Sequence, residues 1–191
     1  MKLSKLNCLL LIIAIFFGGF VYYYEFHSKP EREKIENQKD QIFSFKADDI
    51  KVINVRHQNL NLKLERSDDE KSEWKLTQPQ QINANDAVVA FLINLLIDGK
   101  PERTFSISAD QLSNYGFDTS PTMIEVELSD QTQHTIQLGS FEFTEEFIYA
   151  RINAQPNAEK IDLALLPKDF LYAVQRDLSE WKQQETSSVD P

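Results

Sequence analysis

The chain has one cysteine, five glycines and three histidines among its 191 residues, and each shortage removes a class of function. A single thiol allows no intramolecular disulfide, no zinc ribbon and no CxxC redox pair. The glycines stand at 18, 19, 99, 116 and 139, so neither a GxGxxG fingerprint nor a Walker phosphate loop can be written. His27, His57 and His134 are scattered, without HxH or HExxH spacing, and no metal site is expected. No GxSxG elbow occurs, and Cys8 lies inside an apolar run, away from any active site. Basic residues number 20 against 30 acidic ones, a formal charge of −10. Nucleic acid is therefore excluded as a partner, because binding it needs clustered Lys and Arg that release counterions. In so acidic a chain no carboxylate pair stands out as a catalytic dyad. The run Asp68, Asp69, Glu70 lacks the alternation and the glycine of a calcium loop, and reads as a solvated hairpin turn that discourages edge pairing. No catalytic residue and no cofactor is expected, and the chain is read as a non-enzyme.

What the chain does have is one long uncharged stretch, Cys8 to Tyr24, preceded by Lys2 and Lys5 and no acid. At about 1.5 Å of rise per residue it makes roughly 26 Å of helix, near the lower end of what spans a bilayer. A cleaved signal peptide would need a small-x-small site, and Ala14, Gly18 and Gly19 do not have that spacing. Three tyrosines occupy the far interface, where aromatic belts belong. The run is therefore read as an uncleaved signal anchor whose partner is the lipid bilayer. Ala14 and Gly18 have small-xxx-small spacing, a candidate contact for a second membrane helix. The flanking basic residues are nearly balanced; the habit of first helices places the N-terminus in the cytoplasm and the bulk of the chain in the periplasm or a lumen. A lone thiol suits that compartment, since nothing is left to mispair.

The expected organisation is a cytoplasmic N-terminus over 1–7, an anchor over 8–24, a charged stalk over 25–41, a folded domain over 42–182 and a disordered tail over 183–191. Within the domain, Ile50 to Val55 predicts a strand whose apolar positions change parity midway, the signature of a bulge. Leu60, Leu62 and Leu64 alternate with polar residues, a half-buried strand. Trp74 to Leu76 predicts a third. Asn85 can cap a helix carrying Val88, Phe91, Leu92, Leu95 and Leu96, apolar almost all round and so expected to be buried, with Gly99 ending it. A helical turn follows over Ser108 to Tyr115, with capping-box spacing at Ser108 and Gln111 and a left-handed Gly116 that lets Phe117 reach Leu112. Ile124 to Leu128 and His134 to Leu138 predict a hairpin, Phe147 to Ile152 a further strand, and Ile161 to Leu163 another. Pro167 opens a last helix with Phe170, Leu171, Val174, Leu178 and Trp181 on one stripe. Short turns between strands make the class α+β, an antiparallel sheet with packed helices. The order strand, strand, strand, helix occurs twice, pointing to two similar βββα halves.

Phe141, Phe143, Phe147 and Tyr149 cluster around Gly139, with Arg151 close by. Aromatics with a nearby arginine are the residue types that anchor protein interfaces, and these five form the candidate partner surface. A strand and loop feeding aromatics into the core is the competing reading.

The stretch Trp74-Lys-Leu-Thr-Gln-Pro79, an apolar helix, then Leu112-Ser-Asn-Tyr115-Gly116-Phe117 with Pro121, resembles the bacterial domain of unknown function four-three-four-zero. Ile136-Gln-Leu-Gly139 and Tyr149-Ala-Arg151 match the family's "L-x-I-G" and "Y-x-R". Phe117 stands where leucine is common, and Gln137 where an apolar residue is frequent. The resemblance runs from about Phe43 to Trp181, and the short, singly anchored form is similar to cyanobacterial members, which implies a plasma or thylakoid membrane. It carries no catalytic residues across. Longer members accompany ABC-transporter components of the gliding-associated type, which implies an accessory role at a membrane complex. The expected function is a non-enzymatic, membrane-anchored extracytoplasmic domain that binds a membrane protein; the alternative is a periplasmic or lumenal domain that binds a small ligand or lipid between its halves.

Overall fold

The computed structural model describes residues 41–67, 73–118, 122–155 and 158–184. The anchor with Ala14 and Gly18, the stalk up to residue 40, the acidic run at 68–70, Pro121 and the tail from 185 lie outside the described residues. Among the described residues no helix is long and apolar enough to cross a membrane.

The domain is one antiparallel sheet of nine strands. These are β1 (Ile50–His57), β2 (Leu60–Arg66), β3 (Trp74–Gln78), β4 (Ile82–Asn83), β5 (Arg103–Ser108), β6 (Thr122–Leu128), β7 (Gln133–Phe141), β8 (Phe147–Ile152) and β9 (Lys160–Pro167). They lie in the order β4-β3-β2-β1-β6-β7-β8-β9-β5. Among the described residues two α-helices complete it, α1 (Asp86–Asp98) and α2 (Asp169–Val174). The fold is thus sheet-rich α+β. The parity change in β1 is a bulge: its register with β6 shifts between Ile50 and Val52, so Ile50 and Ile53 are both buried.

The strands fan outward from the β1/β6 pair in the same sequence on both sides: β1, β2, β3, β4 then α1, and β6, β7, β8, β9 then α2. The segment that leaves α1 becomes β5 and pairs with β9 of the second half. The segment that leaves α2 reaches back to the first half, where Lys182 bridges Ala84 beside β4. Each half therefore closes the outer edge of the other.

Alternation along the strands puts one face of the sheet against the helices. Ile53, Val55, Leu64, Leu76, Ile124, Ile136, Leu138 and Ile148 meet Val89, Leu92, Leu96, Phe170 and Val174 in a single core. The opposite face carries a smaller cluster: Ile107, Phe117, Ile161 and Leu163, with Phe105, Leu112, Tyr115 and Tyr149 half-buried around them. A 3-10 helix over Ala109–Tyr115 covers it.

Several expectations need correction. The helix α1 buries only the stripe Val89, Leu92, Ile93 and Leu96; Val88 and Leu95 are half-buried, and Phe91 is 39% exposed. Gly99 does end the helix, in an extended conformation with φ −62°. Glycine is needed there for room, because a Cβ would collide with Leu95 O and lie 2.8 Å from Phe170 Cζ. Pro167 closes β9 and does not open a helix. The last helix stops at Val174, and Leu178 and Trp181 lie beyond it. Trp181 is fully buried because the chain pairs with the start of α1: Asn85 N–H donates to Trp181 O at 2.8 Å and Gln183 N–H to Asn83 O at 3.0 Å. The helical spacing of 170, 174, 178 and 181 thus serves two structures, a short helix and a strap. β4 and β5 were not legible at all, and each half has four strands before its helix, not three.

Candidate interaction surface

The family-like motifs meet in space. Gly116 ends the 3-10 helix with φ +80°, and a Cβ on it would sit 2.7 Å from Ser140 N. A Cβ on Gly139 would collide with Tyr115 O and lie 3.0 Å from Phe117 Cζ. The end of the 3-10 helix therefore crosses β7 at backbone contact, which only two glycines permit. Leu112 O accepts from Phe117 N–H at 3.5 Å, and Ser108 N–H donates to Gln111 Oε1 at 3.2 Å, so the capping and closing contacts expected of this turn are in place. Trp74 and Leu76 are buried in β3, and Pro79 follows the strand through a cis peptide bond.

Beyond that crossing the β7–β8 ladder shifts register between Leu138 and Phe141, and the hairpin projects as the loop 142–146. Glu142 organises it. Its carboxylate accepts from Thr144 N–H at 2.9 Å, from the Thr144 hydroxyl and from Glu146 N–H at 3.3 Å. Those Thr144 bonds hold the Glu142 pKa below the usual carboxylate range. Glu146 ties the loop to the head of α2: its backbone oxygen accepts from Lys168 N–H at 3.1 Å, and its carboxylate pairs with Lys168 Nζ at 3.2 Å. That carboxylate raises the Lys168 pKa above the lysine value.

On this braced loop Phe143 is 100% exposed, and Phe141 beside it 36%. The other three candidates lie elsewhere. Phe147 is half-buried, opposite Pro167. Tyr149 belongs to the small cluster, edge-on to Tyr115 at 4.8 Å. Arg151 donates to Gln137 Oε1 at 3.1 Å, with its Nε buried and unpaired. One aromatic was missed: Tyr172 is 43% exposed, one turn along α2 from Lys168. It stands outside the stripe of Phe170, Leu171 and Val174 that the sequence singles out in this helix.

Cavities among the described residues include two of more than about 300 Å³. One of about 420 Å³ lies between the β1–β2 turn and the residues after α2, lined by His57 to Leu60 and Gln175 to Leu178. There the His57 Nδ1 shares a hydrogen bond with Thr122 Oγ1 at 2.8 Å, and burial lowers the His57 pKa. The other, about 330 Å³, flanks α1 beside Trp74, on whose ring Arg66 stacks at 5.1 Å. His134 has different company, Phe43 and Phe45 at 4.9 and 5.1 Å, so the two described histidines do not converge. Among the described residues no group of three His, Cys, Asp or Glu could hold a metal ion, and no carboxylate is buried.

No curated protein and no solved structure matches the chain. The profile described as Domain of unknown function (DUF4340) matches residues 74–191, opening on the tryptophan of β3 and including both crossing glycines. The chain belongs to that family.

Proposed function

We propose that the protein is a non-enzymatic, membrane-anchored extracytoplasmic domain that docks on another membrane protein, as an accessory in transport or in assembly of a complex. Phe143 carries this reading. A fully exposed phenylalanine on a loop braced by Glu142 and Glu146 gains nothing for the fold and offers a pre-ordered apolar anchor, which is how interface hot spots are built. The acids around it call for a partner pocket with a basic rim. The uncharged run at 8–24 supports a single-pass anchor in a plasma or thylakoid membrane with the N-terminus cytoplasmic, and the mirrored strand order supports descent of the two halves from one duplicated unit. Crosslinking followed by affinity purification from native membranes tests the reading. A stoichiometric membrane protein is expected in the eluate; recovery of this chain alone in gentle detergent contradicts it.

The small-ligand alternative has one observation in its favour, the 420 Å³ cavity, whose walls come from both halves. Its amide and charged side chains, set beside Leu60 and Leu178, suit an occupant that carries polar groups and not a bare acyl chain.

A further inference from the structure

The two halves of the sheet each have a slot between their first hairpin and the residue that caps the other half's helix. In the second half that slot holds a piece of the chain itself. Ile42 N–H donates to Gly99 O, the C-cap of α1, at 2.9 Å. Phe43 and Phe45 then stack on each other at 5.1 Å and lie tilted against the His134 ring, at 4.9 and 5.1 Å, near the β6–β7 turn. In the first half the corresponding slot, between the β1–β2 turn and Gln175, the C-cap of α2, is the 420 Å³ cavity. It too has a half-buried histidine, His57, on the core side of its hairpin. Leu60 and Leu178 supply apolar walls. Arg176 sits over the Phe91 ring at 5.8 Å and pairs with Glu180, while its Nε is buried without an acceptor.

We propose that this cavity is a recognition slot for an extended peptide segment of a partner protein with aromatic residues at alternate positions, taken up as residues 42–45 are taken up by the other half. The imidazole of His57 serves as the ring against which an aromatic side chain packs, as Phe43 and Phe45 pack tilted against His134. The Arg176 guanidinium offers a second flat face and a donor for a peptide carbonyl. Asn59, exposed at the turn, stands at the mouth. A free anion fits less well, because Asp177 shares the lining with the one arginine. This slot is separate from the Phe143 loop, so the two readings stand or fall independently.

The chain's own segment is the probe. A fluorescent peptide QIFSFK, the sequence of Gln41 to Lys46, with a photoreactive phenylalanine at its second aromatic, is titrated onto the full-length protein in mild detergent. Saturable binding is expected, with photo-adducts on residues 57–60 or 175–178. Asn59→Tyr, which fills the mouth from an exposed turn position, should weaken binding at least about tenfold. Phe143→Ala should leave it unchanged, and the peptide QIASAK should not bind. Adducts near His134 or elsewhere, equal binding of QIASAK, or full binding to the Asn59→Tyr protein would each overturn the proposal.

Discussion

Replacing Gly139 by alanine tests whether the family's motifs encode a backbone crossing. The added methyl would collide with Tyr115 O and press on Phe117 at 3.0 and 3.2 Å. Neither neighbour is a flexible tip: one is main chain, the other a ring 8% exposed. Overpacking of this kind costs about 1–3 kcal/mol. Moving Tyr115 also loosens its edge-on contact with Tyr149 at 4.8 Å and its tilted contact with Phe105 at 5.9 Å; an aromatic pair is worth about 0.5–1.5 kcal/mol. Together roughly 2–4 kcal/mol is expected, which for a chain of this size lowers Tm by about 5–15 °C. Urea unfolding of the full-length protein in mild detergent, followed by tryptophan fluorescence, should show the midpoint fall with the slope unchanged. Gly116→Ala, where φ is +80°, should couple non-additively with it, since both glycines serve one contact. A Gly139→Ala protein within about 0.5 kcal/mol of wild type would refute the crossing as a structural requirement.

Asn85 both caps α1, accepting from Ala87 N–H at 3.1 Å and Val88 N–H at 3.4 Å, and holds the strap by donating to Glu180 O at 3.1 Å. Asn85→Ala should cost about 1–2 kcal/mol by urea unfolding, and Asn85→Asp less, since it keeps the cap and loses only the strap donor. Burial lowers the His57 pKa from its unfolded value of 6.5, so the folded state prefers the neutral ring. The stability this contributes is complete above about pH 6.5 and is lost as pH falls through the lowered folded value. His57→Gln should flatten the pH dependence of the urea midpoint in that window, and an unchanged slope would contradict the assignment.

Hairpins were the most legible part of the fold, because period-two alternation at 60–64, 124–128 and 134–138 leaves little choice of face. The bulge in β1 was legible for the same reason, as a break in that alternation. What failed has a common cause. β5 has only Phe105 and Ile107 as apolar residues, and it is a strand because β9 lies beside it. The strap after α2 kept helical spacing while Trp181 packed against a segment nearly a hundred positions earlier. Long-range pairing overrides local pattern in both places. At the candidate surface the sequence located the aromatics but could not sort them: the register shift after Leu138 decides that Phe143 faces solvent while Tyr149 joins a cluster. The mirrored slots, one filled by residues 42–45, needed the strand order before either could be seen.

The central claim is that Phe143 serves a partner and not the fold. Its most direct test compares wild type with Phe143→Asp in quantitative crosslinked affinity capture from native membranes, alongside urea unfolding of both proteins. Full exposure predicts stabilities within about 0.5 kcal/mol of each other. Loss of a hot-spot anchor of about 2 kcal/mol predicts at least a thirtyfold weaker association, seen as loss of the co-captured membrane protein. Equal capture by both proteins, or a large fall in stability without loss of a partner, would contradict the account.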